Sequence, residues 1–154
     1  MMMENLNNGN ASGALFMIDM DYFKSVNDKL GHPTGDKALQ DMAETLHTVF
    51  RSGDIIGRIG GDEFSVFALG LTDSALIESR ARDLGEKGRR IYMSPDGKTK
   101  VRVSLSIGVA VLSEKDCRDH QELYRLADEA LYEAKEAGRN TYRVYRGTGN
   151  NVKV

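Results

Sequence analysis

A layered α/β sandwich, with helices covering a mixed β-sheet, is the fold class that three features of this sequence predict. Short apolar runs alternate along the chain with segments whose apolar residues recur every three or four positions, the pattern of strands interleaved with helices. Gly60-Gly61 separates two strand-like segments and reads as the turn of a β-hairpin. A long run from Val101 to Val111 alternates apolar residues with Arg102, Ser104, Ser106, Gly108 and Ala110, a strand whose second face is small enough to lie under a helix. The 154 residues suffice for one domain with a proper core. The predicted order is βααββαβαβ over residues 14–146, with 1–13 a disordered or truncated lead and 147–154 a flexible tail.

Ala14-Leu15-Phe16-Met17-Ile18 is continuous and short, so it reads as a strand buried on both faces, with Asp19 at its carboxyl end. Phe23, Val26, Asn27 and Leu30 share one helical stripe, and Gly31 closes that helix. After His32-Pro33, Ala38, Leu39, Met42, Ala43, Leu46, Val49 and Phe50 mark a longer helix with Asp36 near its positive end. The hairpin strands follow, from Asp54 to Ile59 and from Phe64 to Leu69. A weaker helical pattern runs from about Asp73 to Arg90, carrying Leu76, Ile77, Ala81 and Leu84 inward, and Ser94-Pro95-Asp96-Gly97 is a turn. A last helix from about His120 to Ala137, ending at Gly138, and a strand from Thr141 to Tyr145 complete the order.

Composition excludes several function classes. With 21 basic and 23 acidic residues the formal charge is only −2, and no basic patch interleaved with aromatics points to nucleic acid. No apolar run reaches the roughly 18 residues of a membrane span, and no signal-peptide pattern opens the chain, so a cytoplasmic location without membrane contact is expected. The single cysteine, Cys117, suits a reducing compartment, argues against structural zinc and is expected to be inert.

The chemistry concentrates in two acidic clusters at strand junctions, Asp19-Met20-Asp21 and Gly60-Gly61-Asp62-Glu63. Glycines there tolerate positive φ and let a ligand approach the backbone. Carboxylates so placed suit a divalent cation and a phosphate ester. Asp19 is either such a ligand or the N-cap of the following helix. Tyr22, Phe23 and Lys24 begin that helix, where unpaired amides and the helix dipole favour phosphate. Lys135 and Arg139, four residues apart on the last helix, share a face; they serve either a polyphosphate or a solvated face paired with Glu133 and Glu136. Asn27 on an apolar stripe needs hydrogen-bond partners, either a ligand or the start of the next helix.

The chain resembles the GGDEF family, the diguanylate cyclase catalytic domains, from about Leu15 to Tyr145. The resemblance rests on Ile18-Asp19-Met20-Asp21-Tyr22-Phe23-Lys24, Val26-Asn27-Asp28, Gly31-His32, Gly35-Asp36, and Arg58-Ile59-Gly60-Gly61-Asp62-Glu63-Phe64. It continues in Val103 to Ala110, Asp128 to Lys135 and Gly138-Arg139-Asn140. It implies a fold related to ferredoxin-like sheets and to the palm of polymerases and nucleotide cyclases, and the condensation of two GTP into cyclic di-GMP. It also implies Asp19, Asp62 and the Met20 carbonyl as ligands of Mg2+ or Mn2+, two ions per GTP, with Glu63 assisting metal or catalysis and Asp62 and Glu63 as the catalytic pair. Tyr22, Phe23, Lys24, Gly60, Gly61, Lys135 and Arg139 would hold the triphosphate, and Asn27 and Asp36 the guanine edge. Arg51-Ser52-Gly53-Asp54 matches the family's RxxD product site, with Arg82 as a third member.

Because each chain would carry one GTP, turnover requires a homodimer, and an upstream sensor domain is expected. The family's usual Asp-x-Leu-Thr-x-Leu-x-Asn-Arg segment before the first strand has no match in Met1 to Gly13, so this chain alone is expected to be mainly monomeric and weakly active. The alternative function is a module that binds GTP or cyclic di-GMP without turnover.

Overall fold

A computed structural model describes residues 12–113, 116 and 119–146; Cys117 and both expected terminal segments, apart from Ser12 and Gly13, lie outside the described residues. The elements are β1 (Gly13–Asp21), α1 (Phe23–Leu30), α2 (His32–Val49), β2 (Ile55–Arg58), β3 (Glu63–Leu69), α3 (Ser74–Gly88), β4 (Arg90–Met93), β5 (Lys100–Leu112), α4 (His120–Glu136) and β6 (Thr141–Tyr145). The mixed sheet runs β2-β3-β1-β5-β4, with β6 also paired to β5. Every pairing is antiparallel except β5 with β6. β5 accommodates both neighbours on its outer edge because it is long: Lys100 to Val103 pair with β4, and Ser106 to Ala110 with β6.

The layered α/β fold is as expected, with one strand added. β4 occupies the stretch just after the expected helix, which stops at Gly88 rather than near Arg90; Arg89 is extended, at φ −74 and ψ 127. Arg89-Arg90 carries no apolar side chain that would extend the stripe of Ile77, Ala81 and Leu84, so nothing draws the helix onward. Ile91-Tyr92-Met93 instead returns as a hairpin through the expected turn, where the Gly97 amide donates to the Ser94 carbonyl at 2.8 Å.

β1 lies in the middle of the sheet and its side chains alternate between two cores. Phe16, Ile18 and Met20 face the layer of α1, α2 and α3 with Val26, Met42, Leu46, Ile77 and Leu84. Leu15 and Met17 face α4 with Phe67, Leu123, Leu126 and Leu131. Each fully buried Leu, Ile or Phe contributes about 1.5–3 kcal/mol of transfer free energy. Because parity along a strand is strict, Asp19 and Asp21 fall on the α4 side.

The small face of β5 is required by how closely α4 approaches. A Cβ on Gly108 would overlap the Leu131 amide nitrogen and the Ala127 carbonyl oxygen, both backbone atoms of the helix. Neither atom can move without shifting α4, so Gly108→Ala is expected to cost about 3 kcal/mol and to lower Tm by roughly 10 °C. Thermal unfolding measures this, and an unchanged Tm would show that α4 rides farther from the sheet.

Candidate functional site

The β1–β3 ladder brings the two acidic clusters together. Asp19 pairs in register with Glu63, and the Met20 amide donates to the Asp62 carbonyl at 3.0 Å, which docks the hairpin tip against the end of β1. Arg58 braces the tip from within, its Nε donating to the Gly60 carbonyl at 3.0 Å and its Nη2 to the Gly61 carbonyl at 2.8 Å. Neither Gly60 nor Gly61 uses its tolerance of positive φ. What these glycines provide is room, since a Cβ at either position would meet nothing within 4 Å. A ligand can therefore approach the backbone there.

Asp19 is the most constrained of the carboxylates. Its Oδ1 is buried without a hydrogen-bond partner, while Oδ2 is paired with the Lys135 ammonium. Burial raises its pKa above the usual carboxylate range, Lys135 opposes the rise, and Asp62, within hydrogen-bonding reach, adds to it. The Glu63 pKa is raised by burial and by the charges of Asp19 and Asp128. Negative charge is thus crowded at the strand junction, and a cation would relieve it. Among the described residues no three His, Cys, Asp or Glu side chains converge into a ready-made metal cage. Magnesium does not require one, being commonly held by one or two carboxylates plus substrate phosphates. The orphaned Asp19 Oδ1 beside Asp62 fits that arrangement.

Asp19 is not a helix cap. β1 runs on to Asp21, and the N-cap position of α1 is Tyr22, at φ 67 and without a side-chain cap hydrogen bond. No acidic residue sits in the first turn either. The opening amides, at the Tyr22-Phe23-Lys24 corner, therefore keep their capacity for an anion.

Asn27 is half-buried on α1, its Oδ1 lying where a Cβ on residue 35 would stand, so Gly35 is needed for this rotamer. The contact with the next helix is this side-chain packing at Gly35; the Asn27 carbonyl closes α1 itself, accepting from the Gly31 amide at 3.0 Å. Asp36, exposed, is one residue beyond Gly35 in α2. The packing at Gly35 thus brings the Asn27 carboxamide to the turn of α2 that carries the Asp36 carboxylate, and the two offer acceptors and donors of the kinds found on the edge of guanine.

Lys135 and Arg139 converge on β1 by a route other than a shared helix face. α4 stops at Glu136, and Arg139 lies beyond it at φ 66. Lys135 meets Asp19; the Arg139 Nη1 stands 3.7 Å from Asp21 Oδ1, and its guanidinium lies over the Tyr22 ring at 5.9 Å.

A family model described as "Diguanylate cyclase, GGDEF domain" matches residues 2–141. The chain belongs to the GGDEF family. It is 39% identical over 131 residues to a probable diguanylate cyclase of Escherichia coli K12, DgcT, covering 82% of this chain and 28% of that protein. Among solved structures it is similar to the GGDEF domain of YfiN (TpbB) from Pseudomonas aeruginosa, at TM-score 0.78, 32% identity, and coverage of 96% of this chain and 89% of that one. It is also similar to the active GGEEF domain of a diguanylate cyclase from Vibrio cholerae, at TM-score 0.75, 29% identity, and coverage of 96% and 89%. The chain spans well under half the length of the curated relatives it matches.

In this GGDEF domain the RxxD segment is a tight turn upstream of the hairpin. Asp54, its side chain 1% exposed, accepts from the Arg51 amide at 2.9 Å and the Leu69 amide at 3.1 Å. Arg51 donates to the Leu69 carbonyl at 2.6 Å, and its guanidinium lies 3.9 Å from Asp54. Asp54 therefore builds the turn, while Arg51 remains exposed. Arg82 is not with them: it reaches Glu78 at 4.0 Å and the Tyr142 hydroxyl at 3.5 Å. Arg80 stands there instead, its buried Nη1 4.0 Å from Asp54 Oδ2 but without a hydrogen-bond partner, and its guanidinium over the Phe50 ring.

Asp21 was missed as a site residue. It is buried, accepting from Ser104 Oγ at 2.6 Å, Ser106 Oγ at 2.7 Å and the Asn140 amide at 3.1 Å. The signal was available in strand parity: Asp21 is two residues after Asp19, and Ser104 and Ser106 occupy the small face of the long alternating strand. No helix in the described residues is long and apolar enough to cross a membrane.

Proposed function

We propose that this domain is a diguanylate cyclase: it condenses two GTP into cyclic di-GMP and releases two pyrophosphates. The observation that carries the reading is the orphaned Asp19 Oδ1 at the β1–β3 junction, beside Asp62 and opposite Lys135. Asp19, Asp62 and the Met20 carbonyl would hold Mg2+ or Mn2+ with Glu63 assisting, two ions per GTP. The ions supply positive charge to the phosphates and make the α-phosphorus more electrophilic.

The chain's own residues position the substrate. Tyr22, Phe23 and Lys24 offer the corner at the start of α1, Lys135 and Arg139 add cationic donors, and the open Gly60-Gly61 tip admits phosphate close to the backbone. Asn27 and Asp36 select guanine. The 3′-hydroxyl of each GTP attacks the α-phosphorus of the other, and the bond to the β-phosphate oxygen breaks. Two steps close the ring.

One domain holds one GTP, so two must face each other as an antiparallel homodimer, and a sensor domain elsewhere in the full protein would set how often they meet. This reading places residues 14–146 as the working unit, in the cytoplasm where GTP is available. Incubation with GTP and Mg2+, with mass identification of the product, tests it. Guanine-nucleotide binding without any cyclic di-GMP, in a dimerised protein, would overturn it in favour of a sensing module.

Product feedback through RxxD belongs to the same proposal, with Arg51 as its exposed arm. Arg51→Ala is expected to keep basal turnover and to raise the inhibitory midpoint for cyclic di-GMP at least about tenfold, the loss of a charge-assisted contact of roughly 1.5 kcal/mol. Rate measured against added product checks it; an identical midpoint would leave Arg51 a structural side chain.

A further inference from the structure

An open cavity of about 620 Å³ lies beside the phosphate corner, lined by Tyr22, Arg89, Ile91, Arg102, Ser104 and Arg139 among others. It occupies the α4 side of the sheet at its β4 end. Ile91 of β4 and Arg102 of β5 are paired directly in register, so both side chains point from the same face. Arg90, which also lines the cavity, points its guanidinium away from it, toward Thr45 Oγ1 on α2 at 3.1 Å.

Three guanidinium groups remain at this cavity. Arg139 projects from the turn after α4, held at the Tyr22 ring and near Asp21. Arg89, at the end of α3, is oriented by its Nε donating to Asn140 Oδ1 at 3.0 Å. Arg102 rises from the floor. Neither Arg89 nor Arg102 forms an ion pair among the described residues. No acidic side chain lines the cavity. Three cationic forks set around one concave space, two of them without an acidic partner, raise the local concentration of multiply charged anions, and guanidinium geometry suits phosphate oxygens in particular.

Its position decides which phosphoanion. Tyr22 and Arg139 belong both to this cavity and to the proposed triphosphate corner, so the cavity continues outward from where the distal phosphates would end. We propose that Arg89 and Arg102, with Arg139, form a pyrophosphate site that receives the leaving group on its way out. The choice of pyrophosphate rests on the cyclase reading above; the site for a condensed phosphate rests on the cavity and its arginines.

The test is titration of inorganic pyrophosphate into the whole chain by calorimetry, in EDTA, so that metal-dependent binding at the carboxylates is absent. One equivalent is expected to bind to wild type, with affinity falling tenfold or more in both Arg89→Ala and Arg102→Ala and unchanged in Asp62→Ala. Both arginines are exposed, and equal melting temperatures will show that the fold is kept. Arg102→Lys, which keeps the charge but not the planar fork, should recover only part of the loss, with an affinity between those of Arg102→Ala and wild type. Unchanged affinity in both alanine variants, or loss of binding in Asp62→Ala, overturns the proposal. So does a cyclic di-GMP titration in which the dinucleotide binds more tightly than pyrophosphate and depends on the same two arginines, since the cavity would then be a nucleotide site. No turnover is involved: pyrophosphate binding without cyclic di-GMP synthesis counts against the cyclase reading alone, and synthesis without pyrophosphate binding counts against this site alone.

Discussion

Asp62→Ala is expected to abolish cyclic di-GMP formation, by at least about a thousandfold, while the protein stays folded. Metal stabilisation of a phosphoryl-transfer transition state is worth several kcal/mol, and about 4 kcal/mol corresponds to three orders of magnitude. The fold is spared because it uses the backbone of this residue: the Asp62 carbonyl holds the Met20 amide at 3.0 Å, and alanine keeps that carbonyl. Tm should therefore move by no more than about 2 °C, the effect of a substitution near a surface. A second readout needs no turnover. The Asp62 charge is one cause of the raised Asp19 pKa, so its removal should shift Asp19 titration to lower pH, toward the ordinary carboxylate range. Turnover in a dimerised protein, melting curves and an NMR titration of the Asp19 carboxyl check the three parts. Wild-type turnover in the variant would remove Asp62 from the metal site.

What could be read from the sequence, and what could not, divides along physical lines. Asp19 and the Gly60-Gly61 hairpin were legible because strand ends and glycine-rich turns are local features, although the connection runs from Ile59 to Asp62 rather than through two residues; the β1–β3 ladder then needed only to pair the two apolar segments. Arg139 was placed on a helix because four-residue spacing from Lys135 looks helical. The helix instead stops at Glu136, and Gly138 at φ 113 leads into a left-handed turn that spacing does not encode. The third arginine of the RxxD region was read as Arg82, yet Arg80 is three residues after Ile77 and four before Leu84, so it lies on the inward stripe of α3. The cavity lined by Arg102 could not be read at all, because it depends on β4 pairing beside a strand that also carries β6.

The largest stability loss is expected for Asp21→Ala. This carboxylate is 1% exposed and joins three separate parts of the chain: β1, the small face of β5 through Ser104 and Ser106, and the turn after α4 through the Asn140 amide. Truncation strands the Ser106 hydroxyl, which is fully buried, and removes the acceptor of the Asn140 amide. Each buried group left unsatisfied costs about 1–3 kcal/mol, and breaking a buried charged network costs about 3–5 kcal/mol in all. For a chain of this size that is a fall in Tm of roughly 10 °C or more. The turn it anchors is itself unfavourable, because Arg139 and Asn140 sit at φ 66 and φ 52, left-handed positions that non-glycine residues avoid. Once released, the turn relaxes toward ordinary backbone and carries Arg139 away from Lys135. Asp21→Asn separates the two consequences: it keeps the volume and one acceptor oxygen, so it should lose only about 1–2 kcal/mol while KM for GTP rises. Melting curves for both variants, with GTP titration of Asp21→Asn well below its Tm, measure them. An Asp21→Ala protein that melts within 2 °C of wild type, roughly 1 kcal/mol or less, would show that the network contributes little to the fold.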